Sequence, residues 1–270
     1  MSNYNNPWRD MQAAAERAKT HIELMQQKFA AYIEMAERDT VHLFQEPGQY
    51  LNKTEGPLPK ITVLNTDTVS AAFSTPSRTA ILDFASYKSP GGMFLEGSMA
   101  QEEALCHASA LYNVLSSEKL VKEFYEPNQH KLNRSLYHDN LLYVPTVPFV
   151  KKAGNGRYNA RLFDVIVCAA PNKGAAQRYQ HVSDAECEDA MRLRIRAVLS
   201  SVDAAAGKMA RFQAENIILG AFGCGVFKND PAVVARLFLD ELAGRQFREV
   251  VFAVPGEKFE VFSQILQAET

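Results

Sequence analysis

Several signals are missing from this chain of 270 residues, and each absence removes a class of function. Its four cysteines, Cys106, Cys168, Cys187 and Cys224, form no C-x-x-C pair and match no zinc-site spacing, so reduced, mostly buried thiols are expected. The six histidines show no H-E-x-x-H arrangement. Cys106 and His107 are chain neighbours on a predicted helix and point in different directions, which argues against a nucleophile–base dyad. Neither a G-x-S-x-G elbow nor a G-x-x-x-x-G-K-[ST] loop occurs, which disfavours serine-triad hydrolysis and P-loop nucleotide hydrolysis. Residues 1–10 are polar, and no window approaches 18 consecutive apolar residues, so a cytoplasmic protein without a membrane anchor is expected. Charge of one sign is also missing: 29 basic residues face 31 acidic ones, a net −2. No broad cationic surface draws in a nucleic-acid backbone, no sequence-specific nucleic-acid binding is expected, and a phosphate-bearing ligand must be gripped locally.

What is present is an ordered alternation of elements. Over 10–38, Ile22, Met25, Phe29, Ile33 and Ala36 form a one-sided apolar stripe that predicts an amphipathic helix packed on the main body. Segment 45–59, with Pro47, Gly48, Gly56, Pro57 and Pro59, reads as a linker. It divides the chain into a helical extension over 1–58 and a main domain over 59–270. Strands are predicted at 61–64, 79–84, 141–144, 165–169, 216–219 and 250–254. Helices are predicted over 67–73, 99–117, 184–205, 231–243 and 257–267, while 151–158, with Gly154, Asn155 and Gly156, reads as a mobile loop. Such alternation predicts an α/β layer fold with a mostly parallel central sheet, whose ligands sit at the carboxyl ends of strands.

Two loops fall at such ends. After strand 79–84, Pro90-Gly91-Gly92 leads to Gln101-Glu102-Glu103 at the start of a helix. A permissive backbone there suits an anionic ligand while a carboxyl does acid and base work. A structural alternative stands beside it: Ser98-x-x-Gln101 matches a capping box, and acidic residues suit a first helical turn. After strand 216–219, Gly220-Ala221-Phe222-Gly223-Cys224-Gly225-Val226-Phe227 runs toward Asp230, read as an N-cap, and Pro231. Its amides suit a diphosphate, or it is simply a tight turn. Asp67 either accepts a hydrogen bond from a base or ribose, or only caps the following helix. Phe222 and Phe227 read as core residues or as an aromatic wall.

Taken together and in this order, the glycine loop, the Gln-Glu-Glu triplet and the Gly-Ala-Phe-Gly-Cys-Gly-Val-Phe loop resemble the bacterial-type poly(ADP-ribose) glycohydrolases of the macrodomain superfamily. The family's Gly-Gly-Gly stretch is matched by Gly91-Gly92-Met93, so Met93 replaces the third glycine; its side chain narrows the loop, changes how a ribose sits, or points outward. The resemblance covers roughly 61–255 and implies a macrodomain-like three-layer α/β/α fold with a mixed, mostly parallel sheet and an N-terminal helical extension. It implies cleavage of the ribose–ribose bond of poly(ADP-ribose), with ADP-ribose or its protein-linked polymer as ligand and no metal or cofactor. Glu103 would protonate the leaving oxygen and then deprotonate the attacking water, and Glu102 would hold ribose hydroxyls. Gly223, Gly225 and Val226 would donate amides to the diphosphate, with Phe227 against the terminal ribose. Asp67, Asp83, Ser86, Gly91, Gly92, Gln101 and Cys224 complete the implied ligand-binding set. The same diphosphate site would serve a hydrolase of single ADP-ribose units or a non-catalytic reader.

Overall fold

The computed structural model describes residues 7–44, 48–49, 55–75, 78–154, 156–208 and 214–267, so much of the predicted linker, 45–47 and 50–54, lies outside the described residues. The chain opens with α1 (Pro7–Asp39), bent at Phe29, where φ is −128° and ψ 21°. Ala18, Met25, Ile33 and Ala36 recur at helical spacing and are buried, with Ile22 and Phe29 flanking them half-buried. Then come β1 (Val41–Leu43), β2 (Lys60–Leu64), α2 (Thr68–Ser74), β3 (Thr79–Phe84), α3 (Gln101–His107), α4 (Leu111–Leu115), α5 (Glu118–Leu120) and α6 (Glu126–His130). A π-helical turn, Val121–Tyr125, joins the last two. The second half holds β4 (Leu141–Lys152), β5 (Tyr158–Cys168), α7 (Lys173–Gln180), α8 (Asp184–Lys208), β6 (Asn216–Leu219), α9 (Pro231–Leu242), β7 (Glu249–Ala253) and α10 (Lys258–Gln267).

Among the described residues the strands form one seven-stranded sheet in the order β1-β4-β5-β3-β6-β7-β2. β1–β4 and β4–β5 are antiparallel and the other pairs parallel. β3 and β6 are apolar on both faces, as strands covered on both sides must be. Ile81, Val165, Val167 and Ile218 pack in one core with α1 and α3, while Ala80, Leu82, Ile166 and Ile217 pack in the other with α8, α9 and α10. The result is the expected three-layer α/β/α body. Phe84 lies in register with Cys168, and Leu219 with Phe252, so the loops that follow β3, β5, β6 and β7 leave from one rim.

Three expectations change. The single helix over 99–117 is broken, because the connector between α3 and α4 serves as a partner for β4. Ser109 bridges to Phe149, the Ala110 N–H donates to the Pro148 carbonyl at 2.9 Å, and the Val150 N–H donates to the Ala108 carbonyl at 2.7 Å. The small side chains of Ala108-Ser109-Ala110 permit that approach. Strands 141–144 and 165–169 are only the inner ends of β4 and β5. Their outer halves form a hairpin arm pairing Lys151 with Asn159 and Lys152 with Tyr158, so 151–158 turns a hairpin, with Asn155 outside the described residues. The arm bends at a bulge between Val144 and Val147, where the Asp164 carboxylate accepts from the Thr146 amide and the Tyr143 hydroxyl. β1 and α7, together with the short helical pieces α5 and α6, stand where no element was predicted.

Candidate active site

β3 ends at Asp83 and Phe84, and the chain then turns sharply through two left-handed glycines, Gly91 (φ +65°) and Gly92 (φ +59°). A Cβ on Gly91 would stand 2.6 Å from the Tyr112 ring. One on Gly92 would stand 2.6 Å from Glu103 Oε1 and 2.7 Å from Glu102 Oε2. Both glutamates, neighbours in the first turn of α3, therefore converge on one bare backbone position. The Met93 amide donates to Glu103 Oε1 at 3.0 Å and the Ser86 amide to Glu102 Oε2 at 2.7 Å. The Ser86 hydroxyl accepts from the Ser89 amide at 3.2 Å, which tightens the same turn. The Met93 side chain is 53 % exposed.

The capping box does not form. α3 begins after Ala100 with no side-chain cap. Gln101 instead places its carboxamide against the end of β3: Oε1 accepts from the Phe84 amide at 2.8 Å, and Nε2 donates to the Leu82 carbonyl at 2.8 Å. A side-chain amide presents the same donor and acceptor as a peptide group, so Gln101 extends the pairing of β3 by one unit and draws the following glutamates to the rim.

These glutamates join a third carboxyl. Asp83 is 0 % exposed and neither of its oxygens has a hydrogen-bond partner. Glu103 is 6 % exposed, and Glu103 Oε2 and Glu102 Oε1 are likewise covered and unpartnered. Burial raises the Asp83 carboxyl well above its ordinary value, and the charge on Glu103 adds to this. Burial and then the Asp83 charge raise Glu102 against the lowering effect of the Ser86 amide. The covered thiol of Cys106 and the unpartnered hydroxyl of Tyr125, the last residue of the π-helical turn, adjoin the same cluster and are raised by burial too. The acid group is thus nearly closed from solvent, held by the backbone of the first loop.

The second loop leaves β6 at Gly220, where a Cβ would meet the Ala253 carbonyl at 2.7 Å, and turns at Gly223 (φ +70°) against Ala170 and Asn229. The buried Asn229 carboxamide donates to the carbonyls of Pro171 at 2.9 Å and Gly223 at 3.1 Å, tying this loop to the one after β5. The Gly223, Gly225, Val226 and Phe227 amides donate to no group among the described residues, and Val226 is 85 % exposed. Asp230 caps α9 through the amides of Ala232 and Val233, with Pro231 as first helical residue. Cys224 turns inward: its amide donates to the Ala221 carbonyl and its thiol, pushed up to about 12 by burial, lies against the Phe222 carbonyl. Phe222 is core, packed on Phe84, whereas Phe227 is half-buried at the rim. Asp67 is exposed on that rim, with its carboxylate accepting from the Ser70 amide at 2.8 Å as the cap of α2.

The structure therefore gathers Asp83, Ser86, Gly91, Gly92, Gln101, Glu102 and Glu103 around one loop, and Gly223, Gly225, Val226 and Phe227 around its neighbour. Sequence reasoning missed Asn229 and Tyr125. Of these only Asn229 carries a signal, the Asn-Asp-Pro turn. Among the described residues no three His, Cys, Asp or Glu side chains are disposed to hold a metal ion, and no helix is long and apolar enough to cross a membrane.

A search of curated proteins finds no match. Solved structures do match. Poly(ADP-ribose) glycohydrolase from Thermomonospora curvata is 27 % identical over 94 % of this chain and 99 % of its own, with a TM-score of 0.77. Its form bound to the inhibitor ADP-HPD is 28 % identical over the same shares, with a TM-score of 0.75. The Deinococcus radiodurans glycohydrolase in complex with ADP-ribose is 30 % identical over 92 % of this chain and 98 % of its own, with a TM-score of 0.67. The model of the microbial-type PARG catalytic domain matches residues 6–152, which include the acid loop and both glutamates, so the chain belongs to the microbial-type poly(ADP-ribose) glycohydrolase family.

Proposed function

We propose that this enzyme hydrolyses the ribose–ribose glycosidic bond of poly(ADP-ribose) and releases ADP-ribose, with Glu103 as general acid and base. The observation that carries the reading is the convergence of Glu102 and Glu103 on Gly92, beside a loop whose unengaged amides suit a diphosphate. Glu103 protonates the leaving oxygen as an oxocarbenium-like centre develops, then takes a proton from the attacking water. Glu102 holds ribose hydroxyls, and burial raises its carboxyl and that of Asp83 above their ordinary values. Ordinary glycosidases flank the bond with two carboxylates about 5–9.5 Å apart. Neighbours on one helical turn cannot straddle a sugar in that way, so one acid/base acts, and the substrate's diphosphate helps to steady the cation. Gly223, Gly225 and Val226 hold that diphosphate through their amides, and Phe227 closes on the terminal ribose. A protein-linked polymer as natural target and a cytoplasmic location belong to the same reading.

The test compares wild type with Glu103→Gln on poly(ADP-ribosyl)ated and singly modified protein. Turnover of the polymer is expected to fall about a hundredfold to ten-thousandfold in the variant, with ADP-ribose binding retained. A wild type that binds ADP-ribose and cleaves neither target is a reader. One that cleaves only the singly modified target is a mono-ADP-ribosyl hydrolase. Full activity in Glu103→Gln would remove that residue from its role.

A further inference from the structure

Between α6 and β4 the chain enters the left-handed region at four non-glycine residues within five: Asn133 (φ 42°), Arg134 (51°), Ser135 (66°) and Tyr137 (62°). Each such residue costs free energy, and so dense a run persists only where surrounding contacts over-determine it, as they do at functional sites. The main clamp is Arg194. Of three arginines alternating along α8, Arg192, Arg194 and Arg196, it alone is fully buried, at 1 % exposed. Its Nε donates to Asp139 Oδ1 at 3.0 Å and its Nη2 to the Leu136 carbonyl at 3.2 Å. Its Nη1 donates to the carbonyl of Ala169, the first residue past β5. The Asn172 amide adds a bond to the Ser135 carbonyl at 3.0 Å, and Asn133 Nδ2 one to the Tyr137 carbonyl at 2.9 Å.

All of this fixes one ring. Tyr137 stacks on Tyr87 with centroids 4.3 Å apart and planes 12° from parallel. It also meets Phe227 edge-on at 6.1 Å and 62°. Tyr87 follows Ser86, whose amide holds Glu102 in the acid loop. Phe227 ends the diphosphate loop, and its carbonyl accepts from the Gly174 amide. One half-buried side chain at the rim therefore touches both Tyr87 and Phe227, which 139 residues of chain separate.

We propose that Tyr137 is a positioning residue for the reaction: wedged between Tyr87 and Phe227, its ring sets the gap between the carboxyls and the turn that grips the diphosphate. The proposal rests on the function proposed above. A bound ADP-ribose is anchored at the diphosphate, so a change in this gap moves the scissile bond relative to Glu103 more than it weakens the anchor. Displacements of that kind act on turnover, where about 1 Å is worth up to a hundredfold.

The experiment measures kcat and KM on poly(ADP-ribosyl)ated protein, Kd for ADP-ribose by calorimetry, and the thermal midpoint, for wild type, Tyr137→Phe and Tyr137→Ala. Tyr137→Ala is expected to lower kcat about tenfold or more while Kd stays within about threefold, and Tyr137→Phe, which keeps the ring, to restore kcat to within about threefold of wild type. If Tyr137→Ala fails to fold, Tyr137→Leu, which keeps apolar bulk without a flat ring, is read in the same way. Unchanged kcat in Tyr137→Ala or Tyr137→Leu, or a Tyr137→Phe variant as impaired as they are, overturns the proposal alone. A wild type that leaves the polymer intact overturns the functional reading and takes this one with it.

Discussion

Gly92 has no side chain, yet it decides where two side chains go. Its φ of +59° is left-handed, and the space its Cβ would fill is already taken by Glu103 Oε1 and Glu102 Oε2. Alanine there costs about 1–2 kcal/mol for the backbone alone, and the methyl must also push both carboxyls outward. The acid of a glycosidic cleavage tolerates little displacement, so Gly92→Ala is expected to lower kcat about tenfold to a hundredfold in a protein that still folds. A circular dichroism spectrum and a steady-state assay on the polymer check both halves. Wild-type turnover in the variant would mean that the carboxyls do not act from the positions they hold here. Met93 is the contrasting case: its amide donates to Glu103 Oε1, while its side chain is 53 % exposed.

The elements bring these residues together by borrowing from each other's ends. β3 stops at Phe84 because the chain turns away, and Gln101 supplies the donor and acceptor that a residue of the neighbouring strand would have supplied. Removing the carboxamide in Gln101→Ala leaves the Phe84 N–H and the Leu82 carbonyl without those partners. Each such group costs about 1–3 kcal/mol when buried, so urea denaturation should show a loss of about 2–6 kcal/mol, with turnover falling as α3 loosens from the rim. A stability loss under 0.5 kcal/mol, the scale of an ordinary surface change, would show that α3 is held by apolar packing alone. This contact also marks the limit of what sequence reveals. Patterns with one period and local partners are legible: the apolar runs of β3 and β6, the stripe of α1, and Asp230 with Pro231 at the start of α9. Long-range bonds are not. Ser98 and Gln101 have the spacing of a cap, and only the strand end 17 residues upstream claims Gln101. The small-residue connector between α3 and α4 reads as continuous helix until β4 arrives to pair with it. Arg194 alternates with Arg192 and Arg196, which are half-buried and ion-paired to Asp240 and Glu241, and nothing in the chain says which of the three is fully buried.

For the molecule as a whole, closing three carboxyls into one rim has a consequence that reaches beyond the site. β1 and α1 close the sheet and one of its faces, so the acid loop is backed by packed core and its carboxyls are desolvated by the body of the protein. Acids raised by burial, such as Asp83 and Glu102, keep a proton when folded that the unfolded chain gives up above about pH 4. The native state then binds more protons than the unfolded state, and stability falls as pH climbs from the unfolded values through the folded ones. Four histidines act in the opposite direction: burial lowers His21, His42, His107 and His138, so they add stability as pH rises to about 6.5 and no further. Glu186, lowered to about 2 by the Ser183 amide and Arg134, and Glu249, lowered by Lys60, withdraw their support only in acid. The raised carboxyls of the site therefore pull stability down as pH rises above the unfolded carboxyl range, and Asp164 and Asp203, also raised by burial, act in the same direction. Asp83→Asn keeps the shape, removes one titrating group and relieves the charge that raises Glu102. The difference in urea midpoint between Asp83→Asn and wild type is expected to move in the variant's favour as pH rises above about 4, leaving the variant the more stable protein at pH 8. Parallel curves would mean that Asp83 titrates alike in the folded and unfolded chain, and that the crowding of carboxyls at the rim does not strain the fold.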